Sequence, residues 1–146
     1  MCKGFVRAIC SSEERGLPKH NTGSGYLKEG FGLAGDAHAG TEGWQVSILL
    51  EQLMEPVIKK LGETPEPGSF AENLLLRGLP ENSVVKGTVL KVGEAIIEIT
   101  AIGKEDPLKH TYSYRGFRLL AEQGRFGRII RSGQVKTGDP VEIVES

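Results

Sequence analysis

Twenty glycines, spread singly along 146 residues, constrain the fold of this chain more than any other feature. Many stand at turn-like positions between short apolar runs, as Gly62, Gly93 and Gly133 do. Glycine adopts positive φ without a clash at Cβ, so it permits tight turns that other residues resist. Because only one segment has clear helical periodicity, the sequence predicts many short strands joined by tight turns.

Alternation of apolar and polar residues marks the predicted strands. Residues 3–12 alternate in this way, with Val6, Ala8 and Cys10 on one face. Further strand-like runs are predicted at 26–36, 44–50, 84–103 and 126–145. Turns divide the last two runs, and they are predicted at 92–94, 132–133 and 137–139.

Helical patterns are short. Within residues 51–62, Leu53, Val57 and Leu61 recur at helical spacing and Gly62 supplies a stop. A helical turn or two is also predicted within residues 114–124. Together the patterns predict a mainly β fold: a small closed β-barrel with one or two short helices. The length of 146 residues is that of one domain, which we expect to span residues 1–146.

Charge and cysteine content narrow the classes of function. The 18 Lys and Arg residues against 19 Asp and Glu residues leave a net charge of −1, which argues against general binding to nucleic acid or membrane surfaces. No apolar run approaches the roughly 20 residues of a membrane span, and the polar N-terminal segment does not resemble a signal peptide. The two cysteines, Cys2 and Cys10, suit a reducing compartment, so we expect a cytoplasmic protein.

The loop 35–40 sets Asp36 two residues before His38, between glycines. A carboxylate and an imidazole placed in this way can ligate a metal or carry out acid–base chemistry. The alternative is that Asp36 caps a turn while His38 is a solvated loop residue, and the hexapeptide alone favours this alternative.

The segment 67–78 allows two interpretations. Ser69 precedes Glu72 by three residues, the spacing of a capping box at the start of a helix. Alternatively, the backbone N–H groups around Ser69 form a nest for an anion such as a phosphate, and Asn73 adds an amide that reads a ligand's ring edge.

Charged residues also gather in two other loops. Residues 103–112 contain Lys104, Asp106 and His110 among mixed charges directly after a strand-like run. Asp106 precedes a proline, which favours a turn. In the loop 17–23, Lys19 and His20 are placed either to reach a ligand or to remain solvated.

Six short segments, taken in order, resemble the MOSC domain. They are PKH, GLAGDAHAG, QVSIL, PGSFAENL, AIIEITAIGKE and QVKTGDPVEI, and the resemblance spans roughly residues 3–144. This family includes the C-terminal domain of molybdenum-cofactor sulfurases and small stand-alone bacterial proteins. The resemblance implies a strand-rich barrel, binding or handling of the molybdenum cofactor and, in many members, a sulfur-carrier role.

The chain departs from the family pattern where sulfur would be carried. Many members have a cysteine shortly after a Gly-Lys pair, whereas this chain has Asp106 there and His110 at the position of a second cysteine. Members usually also have a Pro-Arg pair where this chain has Ala121-Glu122. A carboxylate cannot hold a persulfide, because sulfur transfer needs a displaceable thiolate. An oxygen ligand to a hard metal remains a role for Asp106.

The resemblance implies a binding site for molybdopterin and its molybdenum. The proposed lining residues are Lys19, Asp36, His38, Ser69, Asn73 and Lys104. Asp106 and His110 are the candidates for catalysis, and Asp106 is the candidate metal ligand. The resemblance leaves open whether the chain is an enzyme.

Two alternatives stand beside this hypothesis. One is a sulfurtransferase that acts through Cys2 or Cys10. The other is a non-catalytic module that delivers cofactor to a molybdoenzyme or binds a cofactor-biosynthesis protein. Pyridoxal phosphate serves the larger sulfurases to which this domain is attached. The chain lacks the size and lysine context of a pyridoxal enzyme, so any such association would come from a fused neighbour.

Overall fold

The computed structural model describes residues 3–13, 18–37, 39–40, 45–103 and 113–145. Its strands, in chain order, are β1 Lys3–Ser11, β2 His20–Asn21, β3 Ser24–Lys28, β4 Gly32–Leu33, β5 Val46–Leu50, β6 Leu74–Arg77, β7 Val89–Val92, β8 Ala95–Ile102, β9 Arg125–Arg131, β10 Gly133–Lys136 and β11 Pro140–Glu145. A 3₁₀ turn at Glu51–Met54 leads into helix α1 (Glu55–Leu61), a second 3₁₀ turn covers Glu81–Ser83, and helix α2 covers Leu119–Gln123.

Seven strands close into a barrel. Their order is β11–β7–β8–β9–β5–β6–β1, and pairing of β1 with β11 joins the two ends. The β5–β6 pair is parallel, and the other described pairs around the barrel are antiparallel. Strand β2 extends the sheet beyond β1, while β10, β3 and β4 form a small second sheet. The predicted closed β-barrel with short helices is confirmed.

Local sequence signals set several element boundaries. The hairpin between β7 and β8 turns at Gly93, whose φ of 57° lies in the left-handed region that glycine tolerates best. Helix α1 carries Pro56 in its first turn and ends at Gly62, whose φ is 73° and whose N–H donates to the carbonyl of Ile58. None of the described helices is both long and apolar enough to cross a membrane.

A single cluster of buried apolar side chains fills the barrel. Strand β5 is buried along its whole length, and Ile48 and Leu74 on the parallel β5–β6 pair are inaccessible to solvent. Strand β8 instead alternates buried and partly exposed residues over most of its length, as expected for a wall with one solvated face.

Arg125, at the start of β9, is a buried cation that bonds to both the second 3₁₀ turn and the end of α2. It is 5% exposed, and its guanidinium donates 2.8 Å hydrogen bonds to the carbonyl oxygens of Val84, Gln123 and Glu81. Burial lowers the pKa of Arg125, while the charge of Glu81 acts in the opposite direction. A guanidinium offers five donors in a fixed plane, which suits this three-way contact.

We expect Arg125→Met to destabilise the fold by at least about 3 kcal/mol, because three carbonyl groups lose their donor together. Urea unfolding followed by circular dichroism measures the loss. Arg131→Met is the matched control, because Arg131 is exposed at the other end of β9. Equal effects from the two substitutions would contradict this role of Arg125.

Candidate functional site

One row of residues crosses four strands and the residue before a fifth, near the end of the barrel. Ala101 lies opposite Phe126, which lies opposite Ser47. The N–H of Asn73 donates to the carbonyl of Ser47 at 3.1 Å, and the N–H of Cys10 donates to the carbonyl of Asn73 at 2.7 Å. The register therefore brings β1, β5, β8, β9 and the residue before β6 to one level, where several polar side chains converge.

At one end of this row, Lys19 and Asp36 form a buried ion pair. The Lys19 Nζ lies 2.5 Å from the Asp36 Oδ1, and both side chains are 1% exposed. The backbone N–H of Ser12 donates to the same oxygen at 3.1 Å. Lys19 is itself fixed by its N–H, which donates to the carbonyl of Gly68 at 2.9 Å. Two of the residues predicted from the sequence thus meet directly.

Opposing influences set the ionisation of Asp36. Burial favours the neutral acid, but the hydrogen bond and positive charge of Lys19, with hydrogen bonds from Ser12 and Asn73, outweigh it and lower the pKa of Asp36. The carboxylate therefore stays charged inside the protein. A paired charge of this kind can hold two loops together, but it offers little to an incoming ligand.

Asn73 connects the ion pair to the barrel wall. Its Nδ2 donates to the carbonyl of Cys10 at 3.1 Å, and its side chain also hydrogen-bonds to Asp36. Its Oδ1 accepts from the backbone N–H of Ser47 at 3.0 Å and from the Ser47 hydroxyl at 3.2 Å. The amide of Asn73 is thus engaged on both sides, and its described role is to join three segments.

The segment around Ser69 is a turn, so the predicted capping box is wrong. The Glu72 carboxylate accepts hydrogen bonds from the N–H groups of Gly68 at 2.8 Å and Phe70 at 3.1 Å. The Ser69 hydroxyl donates to the carbonyl of Glu66 at 2.6 Å. The backbone N–H groups that were predicted to bind an anion therefore include two that bind the Glu72 carboxylate of the chain itself.

Glu72 is almost completely buried, at 1% exposure. Burial raises the pKa of Glu72, against the lowering effect of its backbone hydrogen bonds and of the Lys19 charge. Lys19 therefore lies within electrostatic reach of two buried carboxyl groups. We call Lys19, Asp36, Glu72 and Asn73 the buried polar cluster.

Cys10 borders this cluster, and its surroundings disfavour reaction at the thiol. Its side chain is inaccessible to solvent. Burial, helped by the nearby charge of Glu72 and opposed by that of Lys19, raises the pKa of the Cys10 thiol to about 12. The thiolate is the nucleophile in sulfur transfer, so a buried neutral thiol does not favour a sulfur-carrier role for Cys10.

Several predicted site residues lie outside the described residues. These are Cys2, His38, Lys104, Asp106 and His110. Gly103, two residues after Ala101 and just past the end of β8, is described. Its N–H donates to the carbonyl of Gly124 at 2.7 Å. Within the described ranges, no three His, Cys, Asp or Glu side chains are grouped to hold a metal ion.

Sequence reasoning missed Arg118, which lies between the Tyr114–Phe117 bridge and α2. The Arg118 Nε is buried, and no described residue accepts a hydrogen bond from it. Arg118 directly precedes helix α2, and this helix packs closely against Gly103. A Cβ on Gly103 would meet the carbonyl of Glu122, one helical turn after Arg118, at 2.7 Å. A lone arginine in a polar loop gives no sequence pattern that would have singled it out.

The Tyr114–Phe117 bridge closes a short hairpin, which also contacts the turn that holds Glu72. The Tyr114 ring packs edge-on against Phe70, with ring centroids 5.3 Å apart. Arg118 therefore lies on an element that contacts both the end of β8 and the turn holding Glu72. Chemically, the arrangement provides a buried, charge-paired cluster and an additional guanidinium on an element that contacts the turn of Glu72.

Comparisons with known proteins relate this geometry to others. The family model of the MOSC domain matches residues 35–142. None of the curated proteins compared with the chain matches it significantly.

Solved structures with the same fold include three bacterial proteins. The YuaD protein from Bacillus subtilis is 16% identical, with a TM-score of 0.76 over 95% of this chain and 94% of that chain. YiiM from Geobacillus stearothermophilus is 16% identical, with a TM-score of 0.75 over 97% of this chain and 75% of that one. YiiM from Escherichia coli is 20% identical, with a TM-score of 0.66 over 97% and 70%. Identities this low show likeness of fold.

We expect Asp36→Leu alone to destabilise the protein by about 3–5 kcal/mol, because it leaves the Lys19 ammonium buried without its carboxylate. The double variant Lys19→Met with Asp36→Leu should recover most of this loss. Urea unfolding at pH 7 measures both. Lys3→Met, which breaks an exposed pair with Glu142, is the control and should cost less than about 1 kcal/mol.

The pH dependence has a defined sign. Because folding lowers the pKa of Asp36, its contribution is present above the ordinary value of 3.8 and is lost as the pH falls through the folded-state pKa. Unfolding measured from pH 6 downward should show a steeper loss of stability for the wild type than for the double variant. Parallel curves would contradict the assignment.

We expect Cys10 in a Cys2→Ser variant to resist alkylation by iodoacetamide at pH 7.5, because its thiol is buried and neutral. Mass spectrometry of the native protein and of the protein in urea measures the labelling. Labelling should be rapid only in urea. Rapid labelling of the folded protein would restore Cys10 as a candidate sulfur carrier.

Proposed function

Because the chain belongs to the MOSC domain family, we propose that it binds or handles the molybdenum cofactor without carrying a persulfide. The family match over residues 35–142 carries this proposal. Two further observations support it: Asp106 stands where many members have a cysteine, and Cys10 is buried with a raised pKa.

The buried polar cluster fits the base of such a site better than its lining. Lys19 and Asp36 are paired with each other, and the Asn73 amide is engaged on both sides. The N–H groups of Gly68 and Phe70 donate to Glu72. A phosphate would have to displace internal partners to use these donors. We therefore assign the cluster the role of fixing the loops that surround the ligand.

Arg118 fits an anionic group directly. A buried guanidinium nitrogen that no described residue accepts from carries a desolvation cost that an anion's oxygen would offset. The guanidinium also has the planar donor geometry that matches phosphate and oxo groups. Its Nε is buried within a half-buried side chain, so an anion reaches this atom only if the side chain moves.

The remaining contacts are proposed from the sequence alone. Lys104 would meet phosphate or oxo groups, and His38 would position the ring or a water molecule. Asp106 would offer a carboxylate oxygen to the metal, and a role for Asp106 and His110 in acid–base chemistry stays a prediction. When bound, the cofactor would supply the molybdenum and its redox chemistry, while this chain would orient it and balance its charge.

The experiment that tests the proposal is co-expression with active cofactor biosynthesis. Molybdenum is measured by mass spectrometry and pterin by fluorescence after oxidation, both per purified chain. We expect near-stoichiometric loading of the wild type. Arg118→Gln and Lys104→Ala should each weaken cofactor binding about tenfold, equivalent to roughly 1.4 kcal/mol of binding free energy, and so lower the loading.

Arg115→Gln is the matched control. Arg115 lies on the same hairpin but is exposed and pairs with Glu63 at 2.6 Å, so its loss should leave loading unchanged. Trace cofactor loading that is the same in all variants would contradict the proposal. Loading of the wild type only in the presence of a captured molybdoenzyme or biosynthesis protein would redirect it to a delivery module.

A further inference from the structure

A polar recess lies on the outer face of the barrel, where β8 and β9 are neighbours. Its volume is about 440 Å³, within the range of small-ligand sites. It is lined by Gln45 before β5, Lys86 in the turn before β7, Glu98 on β8 and Arg128 on β9. None of these residues belongs to the buried polar cluster or was singled out by the sequence.

Gln45 is the buried polar side chain of this recess, at 8% exposure. Its backbone N–H donates to the carbonyl of Gly127 at 3.0 Å, and its Oε1 accepts from the N–H of Ile129 at 2.9 Å. Because a backbone N–H can only donate, the Oε1 contact also fixes which way the amide is turned. The Nε2 is left with two donors, and none of the described residues accepts from it.

Charge at the recess is positive on balance. Lys86 and Arg128 contribute two cations against the single carboxylate of Glu98. Arg128 donates through Nε to the Glu98 Oε1 at 2.6 Å, which orients the guanidinium and leaves its terminal N–H groups on the other edge. Glu98 therefore acts as a support for Arg128.

From this combination we infer that the recess binds a small oxyanion, a carboxylate or a phosphate group. The Gln45 Nε2, carried by a mostly buried side chain that the Ile129 N–H holds in place, supplies a positioned neutral donor that a solvated charge patch would lack. Arg128 supplies a planar pair of donors that matches two oxygens of one ligand, and Lys86 supplies a point charge at the rim. The inference is independent of the cofactor proposal, because it uses other residues.

The test is a titration of ¹⁵N-labelled protein with inorganic phosphate and, separately, with acetate. Sodium chloride keeps the ionic strength constant, and the side-chain amide resonances of Gln45 report on Nε2. We expect a saturable shift of these resonances with at least one of the two anions. The anion that saturates identifies the ligand as a phosphate or a carboxylate.

Three variants separate a built site from general attraction. Gln45→Glu keeps an oxygen acceptor for the Ile129 N–H but replaces the Nε2 donors, so binding followed on the Ile129 amide should weaken at least about tenfold. Lys86→Ala should also weaken it, and because the Lys86 side chain is exposed, this substitution should leave the fold intact. Lys91→Ala removes the same charge from the exposed side of β7 and should leave binding unchanged.

Two results would overturn the inference. One is a shift that grows linearly with both anions and never saturates. The other is equal weakening by Lys86→Ala and Lys91→Ala, which would show that net charge alone attracts the anion. Molybdenum loading of the Gln45→Glu variant has no bearing on this result, so failure of the recess and failure of the cofactor proposal are distinguishable.

Discussion

The buried ion pair between Lys19 and Asp36 is the interaction on which the polar end of this barrel depends. Asp36 follows β4, Lys19 precedes β2, and the Asp36 carboxylate also accepts from Ser12 at the end of β1. Asn73 then links this carboxylate to the start of β6. A buried charge is costly unless it is paired and hydrogen-bonded, so loss of either partner leaves the other unstable. Four segments distant in sequence are thereby held in one arrangement.

Much of the fold could be predicted because its signals are local. Gly62 ends a helix and Gly93 turns a hairpin through backbone conformations that depend on a few residues around each. Alternation in β8 likewise follows from one solvated face. The meeting of Lys19 with Asp36 is a different kind of result. The order of family-like segments placed both residues in the lining of one site, but neither that order nor the spacing predicted that they would pair with each other.

Other parts could not be predicted because tertiary burial decides between equal local patterns. Ser69 and Glu72 have the spacing of a capping box, yet the same spacing lets Glu72 fold back onto the N–H groups of a turn. Burial of Glu72 beside Lys19 fixes the second outcome. Gln45 and Arg125 are similar cases, since each looks like an ordinary surface residue in the sequence and becomes a buried donor or acceptor only through long-range contacts.

The same interactions that stabilise the site also limit its chemistry. A reactive thiolate needs solvent access and uncompensated positive charge nearby. At Cys10 the positive charge of Lys19 is balanced by Asp36, Glu72 adds a second carboxyl group, and burial excludes water. Each of these features strengthens the cluster while raising the cost of a sulfur anion beside it. The cluster therefore disfavours a sulfur anion at Cys10 and serves instead to hold the surrounding loops together.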